Sequence, residues 1–197
     1  MPRLLRRSQG GVVYHVLNRS CGRAKIFRED GDYAAFEEVL IEAATRSTVR
    51  VLSFCLMPNH WHLVLWPTRD GELSEYMRWL TVTHVQRWHA NHRTGGTGHL
   101  YQGRFKSFEV ATDDHFLRVC RYVERNALRA GLVNRAEAWR WSSLWWRLTP
   151  HPMASRLLAE WPVERGDDWT DAVNQPETPS ELEAIRTAIL KSVRLGD

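Results

Sequence analysis

The residues best suited to chemistry in this 197-residue chain are His60 and His62, which flank Trp61 in an apolar run. Residues 60–66 are typical of a buried strand, in which successive side chains point to opposite faces. The two histidines therefore project together, whereas Trp61 points into the other layer. Two neighbouring imidazoles on a rigid strand can bind a divalent metal ion, although strand histidines are also common as hydrogen-bonded core residues.

The second candidate segment is a predicted helix over residues 112–128, with Thr112 as its N-cap. Tyr122 and Asn126 lie four residues apart and therefore on the same side of this helix. Packing alone explains poorly a tyrosine that is stacked over an amide and flanked by arginines. A half-buried tyrosine with a solvated hydroxyl is the simpler alternative. The flanking arginines are Arg118, Arg125 and Arg129.

Together, the two segments predict a metal-dependent nucleophilic site. If the helix crosses the histidine strand, Asn126 can add a carbonyl oxygen to the imidazoles of His60 and His62. Mg²⁺ or Mn²⁺ accepts such a mixed set of nitrogen and oxygen ligands. The metal would polarise a phosphodiester, and the Tyr122 oxygen would attack phosphorus to give a covalent phosphotyrosine. Neighbouring arginines would stabilise the phenolate.

The elements that must position these residues follow the order β-α-β-β-α-β, with the tyrosine helix added afterwards. This order predicts an α+β fold of the ferredoxin-like (split βαβ) type, in which two helices cover one face of an antiparallel sheet. We assign residues 1–150 to the main domain and residues 151–197 to an acidic C-terminal extension that ends in a helix over 180–193. The predicted strands are 12–18, 49–56, 60–66 and 104–110, and the predicted helices are 33–45 and 73–92.

Charge is divided unevenly along the chain. Residues 1–150 contain 22 arginine and lysine residues against 14 acidic ones, whereas residues 151–197 contain 5 against 9. A basic main domain suits a polyanionic partner, although a GC-rich coding sequence also favours arginine. The acidic extension could lie over the basic face and compete with such a partner. An N-terminal arm is either a phosphate contact or an ordinary disordered start. Its basic residues are Arg3, Arg6 and Arg7.

Composition excludes several other classes of protein. The longest apolar runs are too short to span a bilayer, and no signal-type apolar core follows the basic N-terminus, so we expect a cytoplasmic protein without a membrane partner.

We expect His84, on the second predicted helix, to be solvated. The cysteines lack the paired spacing of a disulfide framework or a thiolate zinc site. They are Cys21, Cys55 and Cys120.

The same motifs resemble those of REP-associated tyrosine transposases, which are relatives of the single-tyrosine transposases of bacterial insertion sequences. Residues 57–62 resemble the HUH signature of histidine, bulky hydrophobic residue and histidine, and residues 122–133 resemble the tyrosine helix. The similarity extends over roughly residues 10–147. Shorter similar segments are residues 15–19, 26–27 and 102–105.

The resemblance implies that His60, His62 and Asn126 bind the metal and that Tyr122 is the nucleophile. It also implies that the substrate is single-stranded DNA with a hairpin, formed by a palindromic repeat. Cleavage would leave a 5′-phosphotyrosine and a free 3′-hydroxyl, so the enzyme could rejoin strands without ATP. The protein could act as a monomer or as a homodimer that exchanges its tyrosine helices.

Two residues depart from the family pattern. The family usually has proline where this chain has Ala127, and it often has histidine where this chain has Glu124. Neither departure replaces a metal ligand or the nucleophile. Two alternatives to the strand-transfer function stay open: a catalytically inactive protein that binds structured nucleic acid, and a small metal-dependent phosphoesterase. The candidate DNA-binding residues are Arg3, Arg6, Arg7, Arg19, Arg104, Arg118, Arg125 and Arg129.

Overall fold

A computed structural model of the chain describes residues 8–183 and Thr187. Its four strands are β1 (Val13–Arg19), β2 (Arg50–Met57), β3 (His60–Trp66) and β4 (Lys106–Val110). Its α-helices are α1 (Asp30–Arg46), α2 (Glu72–His92), α3 (Asp113–Glu124), α4 (Asn126–Arg129), α5 (Ser143–Leu148), α6 (Ala154–Leu157) and α7 (Trp169–Asn174). The strands form one sheet in the order β2-β3-β1-β4, with antiparallel neighbours throughout. This is the ferredoxin-like order, so the predicted α+β fold is confirmed.

The sheet separates two apolar layers. On one face, Trp61 of β3 packs with Phe36 of α1 and Leu80 of α2, as the predicted arrangement of two helices on one face requires. On the other face, Val64 of β3 packs against α3, with Val119 among the buried residues of that cluster. The helix that carries Tyr122 therefore lies on the face toward which the two histidines project.

A register shift in β2 adjusts the second layer. The pairing of β2 with β3 slips between Val51 and Ser53, so one residue of β2 has no direct partner in β3. Val51 and Phe54 face the layer of α1 and α2, whereas Leu52 faces α3. Such a bulge turns an additional side chain toward one face. As a result, the Ser53 hydroxyl reaches Glu124 of α3.

The turn before His60 is held by the segment that joins β1 to α1. The backbone N–H groups of Ile26 and Phe27 donate to the carbonyl of Pro58, at N···O distances of 2.8 and 3.1 Å. The N–H of Ser20 donates to the carbonyl of Asn59 at 3.0 Å. These bonds satisfy both carbonyls of the two-residue turn, and they fix the end of β3 that bears the histidine pair.

A buried hydrogen-bond chain anchors the tryptophan between the two histidines. The indole N–H of Trp61 donates to the Tyr101 hydroxyl (2.9 Å), which in turn lies 2.6 Å from Nδ1 of His84. His84 is only 3% exposed, so the expectation that it is solvated is wrong. The hydrophobic pattern of α2 could not predict this burial, because the polar partner of His84 is Tyr101, which lies outside the helix.

Because His84 is buried, we expect it to contribute to acid sensitivity. Burial lowers its pKa from 6.5 to about 3. Between these values the unfolded chain binds a proton that the folded protein does not, so folding stability falls as the pH drops below 6.5. Replacing His84 by glutamine keeps an acceptor for Tyr101. This change should reduce the loss of unfolding free energy between pH 6.5 and pH 5 by roughly 1–2 kcal/mol, as measured by urea unfolding. An identical pH dependence in both proteins would show that another group titrates.

The tyrosine helix is shorter than predicted. We expected one helix over 112–128, but α3 ends at Glu124 and α4 begins at Asn126. The backbone of Arg125 has φ −80° and ψ −8°, which tightens the turn between the two helices. The predicted N-cap is confirmed, because the Thr112 hydroxyl accepts from the N–H of His115 at 3.2 Å.

The C-terminal extension continues the second apolar layer. Trp161 and Trp169 contact each other, and Trp161 packs edge-on against Phe116 of α3. Residues 179–183 are helical, and the remainder of the helix predicted over 180–193 lies outside the described residues apart from Thr187. Within the part of the chain that the structure describes, no helix is long and apolar enough to cross a membrane.

Candidate active site

The histidine pair and the tyrosine meet on the α3 face of the sheet. The ring centroids of His60 and His62 are 5.1 Å apart, so both side chains project to the same face, as the alternation predicts. The ring of Tyr122 lies 5.8 Å from that of His62, at an interplanar angle of 85°. The phenol and the imidazole pair, which are separated by about sixty residues of sequence, therefore face a common space.

Sequence reasoning missed a third histidine, His15, on the neighbouring strand. Its Nε2 lies 2.9 Å from Nδ1 of His62, and its ring centroid lies 6.1 Å from that of Tyr122. In the β1–β3 register, Leu17 pairs with His62 and His15 pairs with Val64. Alternation along β1 could have placed His15 on the same face, once the antiparallel pairing of β1 with β3 was assumed.

Burial keeps the histidine pair neutral. Desolvation, together with smaller contributions from the charges of Arg19 and Arg129, lowers the pKa of His60 to about 3. Burial also lowers the pKa of His62 well below its usual value. A neutral imidazole has one free lone pair, and this is the form that binds a metal ion.

The amide of Asn126 is buried beside the tyrosine. Its Oδ1 accepts a hydrogen bond from Nη2 of Arg129 at 3.0 Å, and the Arg129 guanidinium lies 4.0 Å from the centroid of the Tyr122 ring. Asn126 Nδ2 is buried and has no hydrogen-bond partner among the described residues. One guanidinium therefore connects the phenol to the amide, while the amide retains unused hydrogen-bonding capacity.

These groups fit a divalent cation only if the amide takes part. No group of three or more histidine, cysteine, aspartate or glutamate residues in the described ranges is arranged to hold a metal ion. Two neutral imidazoles together with the second lone pair of Asn126 Oδ1 give a mixed nitrogen and oxygen set. Such a set suits a hard cation that keeps other positions for water or substrate oxygens.

The arginines chosen from the sequence occupy different surroundings. Arg19 is half-buried and pairs in register with His60, at the edge of the site. Arg118 is exposed and donates to the carbonyl of Asp114. Arg104 is also exposed, but it lines a groove of about 1550 Å³ beside α2, on the opposite face of the sheet. Arg3, Arg6 and Arg7 lie outside the described residues.

The remaining two arginines contact the acidic extension. Glu177, whose side chain is 5% exposed, lies 3.0 Å from Nε of Arg125 and 3.4 Å from Nη1 of Arg129. Arg121 donates to the carbonyls of Gln175 and Pro176 at 2.9 and 3.1 Å. The extension therefore lies along the arginine-bearing side of the tyrosine helix. The Glu177 carboxylate neutralises the positive charge of Arg129 next to Tyr122.

This contact leads to a prediction for Glu177→Gln. If Glu177 competes with DNA phosphates, as the charge distribution suggests, its neutralisation should release Arg125 and Arg129. We expect about tenfold tighter binding of hairpin DNA at 50 mM salt, together with a steeper salt dependence, measured by fluorescence anisotropy. Glu164→Gln, at an exposed position of the same extension, is the matched control. Weaker binding by the Glu177 variant would mean that this carboxylate orients the arginines for DNA instead of screening them.

The side chain of Glu124 contacts α5 and α7 instead of the histidine pair. Its Oε1 accepts from the Ser143 hydroxyl at 2.6 Å, and its Oε2 accepts from the indole N–H of Trp169 at 2.8 Å. Burial raises the pKa of this carboxyl, and its hydrogen bonds to Ser143 and Trp169 oppose that shift. Where the resembling family often has histidine, this chain therefore has a residue that joins α3 to α5 and α7.

This chain is similar to known transposases. The family model described as "Transposase IS200 like" matches residues 8–126, which is more than half of the chain. The chain therefore belongs to the IS200-like transposase family. It has no significant match among the curated proteins.

Two solved structures are similar to this one. The first is a REP-associated tyrosine transposase bound to a REP hairpin, with a TM-score of 0.58 and 16% sequence identity, covering 73% of this chain and 82% of that one. At this identity the match establishes a shared fold, and it confirms the fold expected from the resemblance. The second is a putative transposase from Deinococcus radiodurans R1, with a TM-score of 0.43 and 16% identity, covering 61% and 92% of the two chains.

Proposed function

We propose that this transposase cleaves single-stranded DNA beside a hairpin and transfers the strand through a phosphotyrosine at Tyr122. The observation that carries this proposal is the convergence of the Tyr122 phenol with the His60 and His62 imidazoles in one buried site. A hairpin substrate is supported by the similar structure, which was solved with a REP hairpin. We propose that the protein acts in the cytoplasm, as a monomer or a homodimer.

In the proposed reaction, the Tyr122 oxygen forms a bond to phosphorus and the bond from phosphorus to the 3′ oxygen breaks. The phenol loses a proton and the leaving 3′ oxygen gains one, so the products are a 5′-phosphotyrosine and a free 3′-hydroxyl. Attack by another 3′-hydroxyl reverses the step and joins strands. Because one phosphodiester replaces another, no external energy source is required.

The surrounding side chains would serve this step in separate ways. A bound Mg²⁺ or Mn²⁺, held by His60, His62 and Asn126, would polarise the phosphate. The Arg129 guanidinium, over the face of the Tyr122 ring, stabilises negative charge that develops on the phenol oxygen. The same guanidinium holds the Asn126 amide in place. Burial excludes water from the imidazoles and keeps their lone pairs available.

The proposal is tested by trapping the covalent intermediate. A hairpin oligonucleotide labelled at its 3′ end should become attached to the full chain in the presence of Mn²⁺ and survive a denaturing gel, and the adduct should not form when EDTA is present from the start. Peptide mapping should place the nucleotide on Tyr122. Tight binding without an adduct would favour an inactive nucleic-acid-binding protein. Hydrolysis of a small phosphoester without an adduct would favour the phosphoesterase.

A further inference from the structure

We propose that His15 is a positioning residue, which fixes the tautomer and ring orientation of His62 so that His62 Nε2 presents its lone pair to a divalent cation. This inference rests on the proposed metal-binding role of the histidine pair. His15 lies on β1, whereas His60 and His62 lie on β3, and the role of His15 is inferred from its hydrogen bond to His62.

The first step is the tautomer of His60, which the structure determines. Nδ1 of His60 lies 2.6 Å from Oδ1 of Asn59. The orientation of that amide is fixed, because Asn59 Nδ2 donates to the carbonyl of Arg23 at 3.2 Å. An amide oxygen only accepts, so His60 must carry its proton on Nδ1. Its Nε2 is therefore free to bind a metal ion.

The second step concerns His62, whose Nδ1 faces the His15 imidazole instead of an amide. The two nitrogens are 2.9 Å apart, and the rings are stacked with an interplanar angle of 22°. Both residues are buried, at 2% and 4% exposure, so water competes poorly for this bond. One imidazole must donate and the other must accept, which leaves two possible arrangements.

Only one of these arrangements leaves His62 able to bind a metal. If His15 donated from Nε2, the proton of His62 would lie on Nε2 and block the coordinating lone pair. If His62 donates from Nδ1, its Nε2 is free, as in His60, and His15 carries its own proton on Nδ1. A hydrogen bond from the second ring nitrogen is the usual device that orients a metal-binding histidine. In this arrangement, His15 does for His62 what Asn59 does for His60.

This geometry also explains why His15 is not a third ligand. Its Nε2 is committed to His62, and no group of three histidine, cysteine or acidic side chains among the described residues is arranged to hold a metal. His15 therefore acts through His62 and not by direct contact with the cation.

The test begins with the unmodified, metal-free protein. Long-range ¹H–¹⁵N correlation spectra of the histidine rings should show His60, His62 and His15 each protonated on Nδ1. A His62 ring that carries its proton on Nε2 would overturn the proposal. This measurement needs no variant, so it does not depend on whether a substituted protein folds.

Variants at His15 then test whether His62 needs a hydrogen-bond acceptor at this position or only a side chain of similar volume. His15→Phe preserves ring volume without an acceptor, whereas glutamine can place an oxygen near the position of Nε2. We expect the Kd for Mn²⁺, measured by electron paramagnetic resonance titration, to increase about 10–100-fold in His15→Phe. We expect it to recover to within a few-fold of the parent in His15→Gln. His84→Gln, a buried histidine on the other face, should bind Mn²⁺ like the parent.

Parent-like Mn²⁺ binding by His15→Phe would overturn the positioning role. That outcome differs from failure of the proposed function, which would appear as the absence of a Tyr122 adduct in the parent protein. An adduct in the parent together with the opposite His62 tautomer would overturn the role of His15 alone.

Discussion

A Tyr122→Phe variant is expected to bind hairpin DNA like the parent and to form no covalent adduct. Loss of a unique nucleophile typically lowers turnover by roughly 10³-fold or more, because no other group can form the intermediate. The substitution preserves the ring that contacts His62 and Arg129, so the fold and the cation–π contact should persist. The measurement pairs the denaturing-gel adduct assay with fluorescence anisotropy on the same hairpin.

The matched control for this experiment is Tyr76→Phe. Tyr76 lies on α2, on the opposite face of the sheet, and its buried hydroxyl has no hydrogen-bond partner among the described residues. Removing that hydroxyl should leave both adduct formation and stability unchanged or slightly improved. If the Tyr122 variant still formed an adduct at the parent level, the nucleophile would be another residue and the proposed function would need a different site.

The largest expected effect on stability belongs to Glu124→Leu. The leucine fills most of the volume but leaves the Trp169 indole without its acceptor and removes the shortest hydrogen bond of the Ser143 hydroxyl, which can still donate to the Phe54 carbonyl. Loss of two buried hydrogen bonds, together with the unsatisfied indole N–H, should lower the free energy of unfolding by roughly 3 kcal/mol. Urea unfolding followed by tryptophan fluorescence measures this change.

Glu124→Gln is the conservative partner in the same experiment. Its amide oxygen can still accept from one donor, so the expected loss is less than half of that for leucine. A leucine variant as stable as the parent would contradict this prediction. In that case apolar packing alone would stabilise the contacts of α3 with α5 and α7.

The sequence predicts the sheet well because each strand is a short apolar run bounded by turn residues. The pairing of β2 with β3 follows from the two-residue turn at Pro58 and Asn59, and the common face of His60 and His62 follows from alternation. Helical spacing predicted that Tyr122 and Asn126 lie on the same side of the helix. Arg129 contacts both residues, although the helix is interrupted at Arg125.

The features that the sequence does not predict depend on contacts between distant segments. On a helical wheel of the tyrosine helix alone, continued to residue 129, Arg125 and Arg129 lie on the exposed side, which suggested DNA contacts, but Glu177 pairs with both. One partner of Glu124 is Trp169, which lies 45 residues further along the chain. The short helices of the extension have no strong hydrophobic periodicity. The sequence pattern therefore does not predict which of their residues pack against α3.

The bonds that Arg121 and Arg125 make to backbone carbonyls of residues 173–176 bear on how two copies of this protein could cooperate. A subunit that donated its Tyr122 to a neighbour would have to break these bonds, or move the C-terminal segment together with the helix and break that segment's bonds to β2. Exchange of tyrosine helices is therefore incompatible with the closed form, in which α3 packs on the sheet and on the C-terminal segment of its own chain. Any partnership between copies that keeps this closed form must leave each active site complete within one polypeptide.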